Sequence, residues 1–271
     1  MSPNTSIYYQ GLPGAYSHIV GNHFAKVLES DRVIGVPNFT GIFESIQELG
    51  FGIVPIENSY AGAVYENYFN LAKYDMRIYA EYFLPVNHCL ASPSSDVTSV
   101  KKVFSHYQAI MQTEKYTASH GWTTENHSDT AGSAEYVSKT GDITYGAICS
   151  ELAAEIYGLH VLDRGIQDQK GNTTRFFLVG RDGQWENTAK TGKISIIFRV
   201  KDIPGVLYKC LGAFATRALN ITKIESLPAK DSPFEYMFWM DIDGFLDSDE
   251  IHGALEELAF FTTDVRILGG Y

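Results

Sequence analysis

Apolar runs and amphipathic stretches alternate along the first 180 residues. Short apolar runs bounded by turn residues are typical of buried strands, and apolar residues at spacings of three and four indicate helices. The predicted strands are SIYYQG (6–11), VIGVPN (33–38), FGIVPI (51–56), KKVFSH (101–106) and YGAICS (145–150). The predicted helices are YSHIVGNHFAKVL (16–28), TGIFESIQEL (40–49), VYENYFNLAKY (64–74), DTAGSAEYVSK (129–139) and ELAAEIYGL (151–159). This alternation predicts an α/β region with largely parallel sheets flanked by helices.

The α/β pattern falls into two units. Residues 76–92 leave the first unit, and the chain returns to it near 160–170 before the apolar strand FFLV. A chain that crosses twice between two lobes forms a cleft, and clefts of this kind suit small ligands. We therefore expect residues 1–182 to form one two-lobed region.

The pattern changes after a polar segment without periodicity, and we predict a linker at 183–192. From there the order is strand, helix, two strands, helix and strand. The segments are KISIIFRV, PGVLYKCLGAFATRA, NITKIESLPA, FEYMFWMDIDG, SDEIHGALEELAFF and DVRILGGY. A βαββαβ order is typical of a ferredoxin-like split-βαβ fold. We expect residues 193–271 to form this separate domain.

Composition narrows the classes of protein. The formal net charge of −11 argues against a broad nucleic-acid surface and against a basic membrane-binding helix. The beginning of the chain lacks a basic and apolar leader, and no apolar run approaches the length of a membrane span. The three cysteines, Cys89, Cys149 and Cys210, lie far apart and indicate a reducing compartment. We expect an acidic cytoplasmic protein.

Polar residues cluster where predicted strands end. GLPGAYSH (11–18) opens a helix whose amides could receive a carboxylate, and VPIENSYAG (54–62) follows a buried strand. SDTAG (128–132) precedes another helix. Each of the three is also compatible with an ordinary turn or helix cap. Nucleotide-binding signatures and HExxH are absent from the sequence, and no histidine has a ligand-spaced partner, so we expect no metal site.

The stretch GNTTRFFLV (171–179) places two hydroxyls and a guanidinium before an apolar strand. Strict alternation would put Thr174 and Arg175 on opposite faces. The two side chains could share one ligand only if the backbone is irregular, which Gly171 would allow. Taken alone, the pattern favours Arg175 as a structural cation at a strand end.

Taken together and in order, these segments resemble the prephenate dehydratase family. The resemblance rests on GLPGAYSH, GIVPIENSYAGAV, SHYQAIMQ, DTAGSAEYV and YGLHVLDRGIQDQKGNTTRFFLVG. It also rests on PGVLYKCLGAF and NITKIESLP, which are similar to motifs of a regulatory ACT domain. It implies a two-lobed catalytic region similar to periplasmic binding proteins, followed by a ferredoxin-like ACT domain. We see no segment similar to chorismate mutase and expect one catalytic activity.

The resemblance implies the conversion of prephenate to phenylpyruvate by loss of CO2 and water, without metal, flavin or nicotinamide. The implied catalytic residues are Thr174, as a donor to the leaving oxygen, and Arg175, as a carboxylate clamp. The implied substrate-binding residues are Tyr16, Ser17, Asn58, Ser59, Gln108, Thr130, Thr173 and Phe176. Glu57 would repel a dianion if it were ionised and close, so we expect it to orient its loop.

The ACT resemblance implies feedback regulation by phenylalanine and assembly into a homodimer or homotetramer. The implied phenylalanine-binding residues are Gly205, Val206, Leu207, Asn220, Glu225 and Ser226. Position 227 departs from the pattern, because leucine stands where the motif commonly has arginine. The strength and sign of the phenylalanine response therefore stay open.

Two other functions fit parts of the pattern. Arogenate differs from prephenate only by an amino group in place of the keto group, and one sequence does not separate the two substrates. A non-catalytic sensor of aromatic acids would bind its ligand without turnover. The intact Thr174, Arg175 and Phe176 triplet disfavours a sensor.

Overall fold

The computed structural model describes residues 5–46, 50–185, 192–228 and 236–271. Strands and helices alternate over most of the chain, as the apolar pattern predicts. The strands up to residue 105 are β1 (Ser6–Gln10), β2 (Arg32–Val36), β3 (Gly50–Asn58), β4 (Gly62–Ala63), β5 (Arg77–Pro85), β6 (Cys89–Ser92) and β7 (Lys102–Ser105). The later strands are β8 (Thr123–Asn126), β9 (Tyr145–Cys149), β10 (His160–Arg164), β11 (Thr173–Gly180), β12 (Lys193–Val200), β13 (Ile221–Pro228), β14 (Tyr236–Asp243) and β15 (Thr262–Gly270).

The helices follow the amphipathic stretches, and several begin at a side chain that caps the first turn. They are α1 (Tyr16–Val27), α2 (Phe39–Ser45), α3 (Tyr65–Lys73), α4 (Tyr107–Gln112), α5 (Glu114–Ser119), α6 (Thr130–Thr140), α7 (Glu151–Ile156), α8 (Val206–Ala215) and α9 (Asp249–Phe261). Asp129 accepts a hydrogen bond from Gly132 N at 2.6 Å and caps α6. The sequence pattern predicts Thr40 as the cap of the helix at 40–49, but α2 begins at Phe39, and Asn38 is its cap, accepting from Gly41 N at 2.7 Å.

The first sheet has the order β2-β1-β3-β11-β5, with β4 paired to the end of β3. Its strands β1, β2 and β3 are parallel, and β3 is buried along the segment Gly50–Ile56. A strand covered on both faces needs a continuous apolar run, which FGIVPI supplies. This sheet forms the first lobe.

The second sheet has the order β10-β6-β9-β7-β8 and forms the second lobe. Strand β7 is parallel to β8 and β9, whereas β6 is antiparallel to both β9 and β10. Its core contains Leu90, Val103, Ala109 and Ile148. The sheet is thus mixed, because β6 and β10 belong to the segments that cross between the lobes.

The C-terminal sheet has the order β13-β14-β12-β15, and its paired strands are antiparallel. With α8 and α9, this is the predicted βαββαβ fold. Its core packs Ile194, Ile196 and Phe198 of β12 against Phe214 of α8 and Leu258 of α9. Part of the predicted linker, residues 186–191, lies outside the described residues.

Two compact units emerge from the contacts. One contains residues 1–67 and 82–178, which include both lobes, and the other contains residues 68–81 and 179–271. In the second unit, the ring of Tyr68 packs edge-on against that of Trp239 at 4.9 Å between centroids. Among the described residues, no helix has the length and apolar character needed to span a membrane.

Candidate active site

A cavity of about 480 Å³ lies within the first unit, between the two lobes. Loops that follow β1 and β3 line it from the first lobe, and the beginnings of α4 and α6 line it from the second. Six residues predicted from the sequence are among its lining residues: Tyr16, Ser17, Asn58, Gln108, Thr130 and Thr174. The structure therefore brings together side chains that are far apart along the chain, at the carboxyl ends of strands where α/β folds commonly bind ligands.

The loop before α1 approaches the second lobe closely. A β-carbon on Gly14, whose φ is +94°, would lie 2.5 Å from Cα of Ala153. The hydroxyl of Ser150 donates to Gly14 O at 2.5 Å. A glycine is required at this contact because any side chain would push α7 away.

Two helix N-termini face the cavity from opposite lobes. Tyr16 and Ser17 form the first turn of α1, whose cap residue, Ala15, supplies no side-chain hydrogen bond. Thr130 begins α6, which is capped by Asp129. Uncapped first-turn amides and the helix dipole attract anions. Among the described residues, no lysine or arginine lines this cavity, so an anion bound there would be held by backbone amides and neutral donors.

The amide of Asn58 has one orientation that satisfies its neighbours. Its Oδ1 accepts from the backbone N–H of Tyr60 at 3.0 Å and of Ala61 at 2.9 Å. A backbone N–H must face an acceptor, so this atom is the oxygen and the opposite atom is the nitrogen. The two hydrogens of Nδ2 point to Asn172 Oδ1 at 2.6 Å and to Thr174 Oγ1 at 2.9 Å.

The orientation of Asn58 fixes the role of Thr174. Because Oγ1 of Thr174 accepts a hydrogen bond from Asn58, its own proton is left to be donated elsewhere. Thr174 lines the cavity. The geometry thus supplies a hydroxyl donor at the cavity wall.

Arg175 and Phe176 do not line this cavity. The guanidinium carbon of Arg175 lies 4.7 Å from the ring centroid of Phe177, two residues along β11, and 5.9 Å from that of Phe83, as expected from alternation. The cavity lining thus includes Thr174 but not Arg175. The carboxylate clamp at Arg175 stays a prediction, and Phe176 is a buried core residue, 2% exposed.

Ser59 and Thr173 are also outside the cavity lining and hold two loops together. Ser59 N donates to Thr173 O at 2.9 Å, and Thr173 N donates to Ser59 Oγ at 3.0 Å. Gly171, with a φ of +92°, precedes this contact. These bonds fix Asn58 beside Thr174, so both residues act on the site through its backbone.

The lining residues that the sequence analysis missed include three with polar side chains that are hydrogen-bonded to one another or to the predicted residues: His88, Gln112 and Asn172. Gln112 ends the motif SHYQAIMQ, and Asn172 directly precedes the two threonines, so adjacency to a motif is a signal that could have found them. His88 carries no such signal, because it follows β5 in a segment that we interpreted as a crossing.

His18 packs under the loop that precedes α1. Its Nδ1 accepts from Gly14 N at 2.9 Å, and its ring stacks on Tyr9 at 4.8 Å between centroids. Burial lowers the pKa of His18 below its ordinary value of 6.5. The neutral ring therefore supports the loop.

We expect His18 to make the folded state sensitive to mild acid. Below pH 6.5, the unfolded chain takes up a proton that the folded chain does not, so the free energy of unfolding falls as the pH falls towards the folded pKa. His18→Asn keeps an acceptor near Nδ1 but does not titrate. Urea unfolding between pH 7.5 and 5.5 should lose less stability in this variant than in the unmodified chain. His160→Asn, which alters an exposed imidazole on β10, is the control, and equal slopes in both variants would contradict the expectation.

Comparison with known proteins shows which protein family this chain is similar to. The family model described as prephenate dehydratase matches residues 7–184, and the ACT domain model matches residues 194–260. A relative from Arabidopsis thaliana, arogenate dehydratase/prephenate dehydratase 1, is 35% identical, over 98% of this chain and 71% of its own. A prephenate dehydratase from Methanocaldococcus jannaschii is 35% identical, over 99% and 98% of the two chains.

Solved structures share the fold over nearly the whole chain. A prephenate dehydratase from Arthrobacter aurescens in complex with L-Phe has a TM-score of 0.88 and 28% identity, and the match covers 98% of this chain and 89% of that one. A structure described as GqqA, a novel type of quorum quenching acylases, has a TM-score of 0.87 and 32% identity, with coverage of 97% and 96%.

Proposed function

Because this chain belongs to the prephenate dehydratase family, with an ACT domain after the catalytic region, we propose that it converts prephenate to phenylpyruvate in the cavity between its lobes. The observation that carries the proposal is the Thr174 hydroxyl, which lines the cavity and accepts from Asn58, so that its own proton is available to a ligand. The catalytic part is residues 1–182 and the regulatory part residues 193–271.

The reaction needs one hydroxyl donor at the leaving group. The bond between ring carbon C1 and its carboxylate breaks, its electron pair enters the ring, and the C4–oxygen bond breaks as the ring becomes aromatic. The products are CO2, phenylpyruvate and, after one proton is added to the departing oxygen, water. A hydrogen bond from Thr174 stabilises negative charge on that oxygen as it leaves.

The rest of the cavity holds and orients the anion. The first-turn amides of α1 at Tyr16 and Ser17 receive one carboxylate, because uncapped N–H groups and the helix dipole favour negative charge there. Gln108 and Thr130 approach from the second lobe. Burial raises the pKa of the Tyr16 hydroxyl, so this group stays protonated, and its hydrogen-bond partners are within the protein, at Asn87 O and His88 Nδ1.

Arogenate is the second candidate substrate. One observation favours it: the carboxylate of Asp129 lines the cavity and could pair with an ammonium group that prephenate lacks. The Arabidopsis relative carries both substrate names. In α6, however, Asp129 already accepts from Gly132 N as the helix cap, and the archaeal relative that matches 99% of this chain is named for prephenate alone, so prephenate is the substrate that we propose.

Turnover of the two substrates separates the candidates. With prephenate, the purified chain should form phenylpyruvate, seen as its absorbance at alkaline pH; with arogenate, it should form little phenylalanine. The ratio of kcat/KM for prephenate to kcat/KM for arogenate measures the substrate preference. Turnover of arogenate alone would reassign the substrate, and turnover of neither would contradict the proposed function.

We also propose that phenylalanine binds to the ACT domain and regulates the enzyme. The support is the ACT match and the family structure solved with L-Phe. Gly205 has the left-handed conformation, φ +69°, at the start of α8, and Asn220 Nδ2 donates to Asp243 at 2.8 Å. Leu227 is fully buried beside Met237, so it offers no cation to a ligand. Adding phenylalanine to the prephenate assay tests the regulation.

The structure also supports proposals for the oligomeric state and the cellular location of the protein. Strand β13 is an edge strand of its sheet, and Thr222, Ile224 and Ser226 are exposed on it. Unpaired edges favour association, so we propose a homodimer or homotetramer. The three cysteines are buried and free, which supports a cytoplasmic location.

A further inference from the structure

The amide of Asn58 is the first member of a longer chain of hydrogen-bonded side chains in the same unit. Because its Nδ2 lies 2.6 Å from Asn172, the atom of Asn172 that faces it is the oxygen. The nitrogen of the Asn172 amide then faces Gln112 at 2.8 Å, and the atom of Gln112 that faces it must be Oε1. Each amide orientation thus follows from the one before, beginning at the backbone N–H groups of Tyr60 and Ala61.

This chain of hydrogen bonds ends at the imidazole of His88. Oε1 of Gln112 lies 2.9 Å from Nε2 of His88, so Nε2 must carry a hydrogen. His88 is 3% exposed, and burial lowers the pKa of its ring. The ring is therefore neutral, and its Nδ1 has a lone pair. That atom lies 2.8 Å from the Tyr16 hydroxyl and can accept its proton, for which Asn87 O at 3.0 Å is the other acceptor.

The arrangement leaves donors facing the cavity. Oε1 of Gln112 accepts from both His88 and Asn172, so its amide nitrogen is directed away from both. Within the described part of the chain, no acceptor contacts that nitrogen, and Gln112 lines the cavity. If the Gln112 amide turned over, two N–H groups would face each other at Asn172, and Asn172 would no longer hold Asn58 in place.

We propose that His88 is a positioning residue for the reaction: as the Nε2–H tautomer it locks the amides of Gln112, Asn172 and Asn58 in the one direction that leaves the Thr174 proton facing the substrate. It touches Tyr16 on one side and Gln112 on the other, and it acts on the leaving group through three amides. This role rests on the proposed function, since it concerns the same site.

Two substitutions of His88 test the contributions of its two ring nitrogens separately. His88→Gln places an amide near Nε2 and can still donate to Gln112. His88→Asn places an amide near Nδ1, where it can accept from Tyr16 but leaves Gln112 without its donor. Loss of this buried hydrogen bond should lower kcat about 10- to 100-fold in His88→Asn, with KM changed less than about threefold. His88→Gln should stay within about fivefold of the unmodified chain, because it keeps that bond.

Equal kcat values in the two variants would overturn the positioning role, and so would a loss confined to KM. Circular dichroism and thermal unfolding check that both variants are folded. If either variant fails to fold, the tautomer decides: in the unmodified chain, labelled with 15N-histidine, the His88 signals should show a protonated Nε2 and an unprotonated Nδ1 at pH 7. The opposite tautomer, or a doubly protonated ring, would overturn the proposal.

The two proposals fail in different ways. If the unmodified chain turns over neither prephenate nor arogenate, the proposed function is wrong, while the tautomer measurement still reports on the hydrogen-bonded chain. If turnover is normal but the tautomer is the opposite one, the function stands and the role of His88 falls.

Discussion

Replacing Thr174 with valine lowers kcat for prephenate by about 10²–10⁴-fold, which is the range for loss of general acid assistance. Valine keeps the β-branched shape and fits the strand, so the fold is retained. It removes the hydroxyl that accepts from Asn58 and that, in the proposed reaction, donates to the leaving oxygen. Steady-state formation of phenylpyruvate measures the effect, with thermal unfolding as the check on folding.

Thr174→Ser is the matched control for this substitution. Serine keeps the hydroxyl and loses only a methyl group, so Asn58 can still fix its oxygen. Its kcat should recover most of the loss seen with valine. Full turnover by Thr174→Val would contradict the assigned role, as would an equal loss in both variants.

Replacing Asn58 with aspartate keeps the shape of the side chain but turns its donor nitrogen into an acceptor oxygen. This change should lower kcat/KM by about 100-fold or more, since two hydrogen bonds of about 1–3 kcal/mol each are lost. Aspartate can still accept from Tyr60 and Ala61, but it cannot donate to Asn172 or Thr174. The oxygen of Thr174 would face another oxygen, and a negative charge would enter a cavity for an anion. Titration of kcat/KM with prephenate gives the result.

Asn38→Asp is the control, because it makes the same chemical change where the amide acts only as an acceptor. Asn38 caps α2 by accepting from Gly41 N. Asparagine and aspartate are equally good caps, so activity and stability should stay close to those of the unmodified chain. Similar losses in the two variants would show that added negative charge, not the lost donor, explains the effect at position 58.

The sequence predicted local structure well where a single period dominates. The run KISIIFRV corresponds to β12 (Lys193–Val200), and Ser248, predicted to open the last helix, accepts from Ile251 N at 3.3 Å. Asp129 caps α6 as predicted. These features depend on a few adjacent residues, so no long-range contact is needed to specify them.

Strand direction in the second lobe was harder to predict. The alternation of strands and helices indicated parallel strands, but β6 is antiparallel to its neighbours. Its direction is set by the path of the crossing segments, which contain no helix between β5 and β6. Apolar periodicity carries no information about that path.

The site was predicted only in part, for a similar reason. The motifs placed Thr174 and Asn58 in one site, and the alternation rule left open whether Arg175 could join them. The structure keeps the alternation, so Arg175 faces aromatic rings instead. His88 is hydrogen-bonded to residues 24 and 72 positions away. Such pairings depend on how the lobes close, and one sequence does not reveal them.

A crystal structure of the chain with an unreactive prephenate analogue, one that keeps the ring hydroxyl and both carboxylates, tests the central claim most directly. The account predicts the ring hydroxyl oxygen within about 3.2 Å of Thr174 Oγ1, with Asn58 still donating to the same atom and a carboxylate at the first turn of α1. A ring hydroxyl bound away from Thr174, or an analogue held outside the cavity, would contradict it.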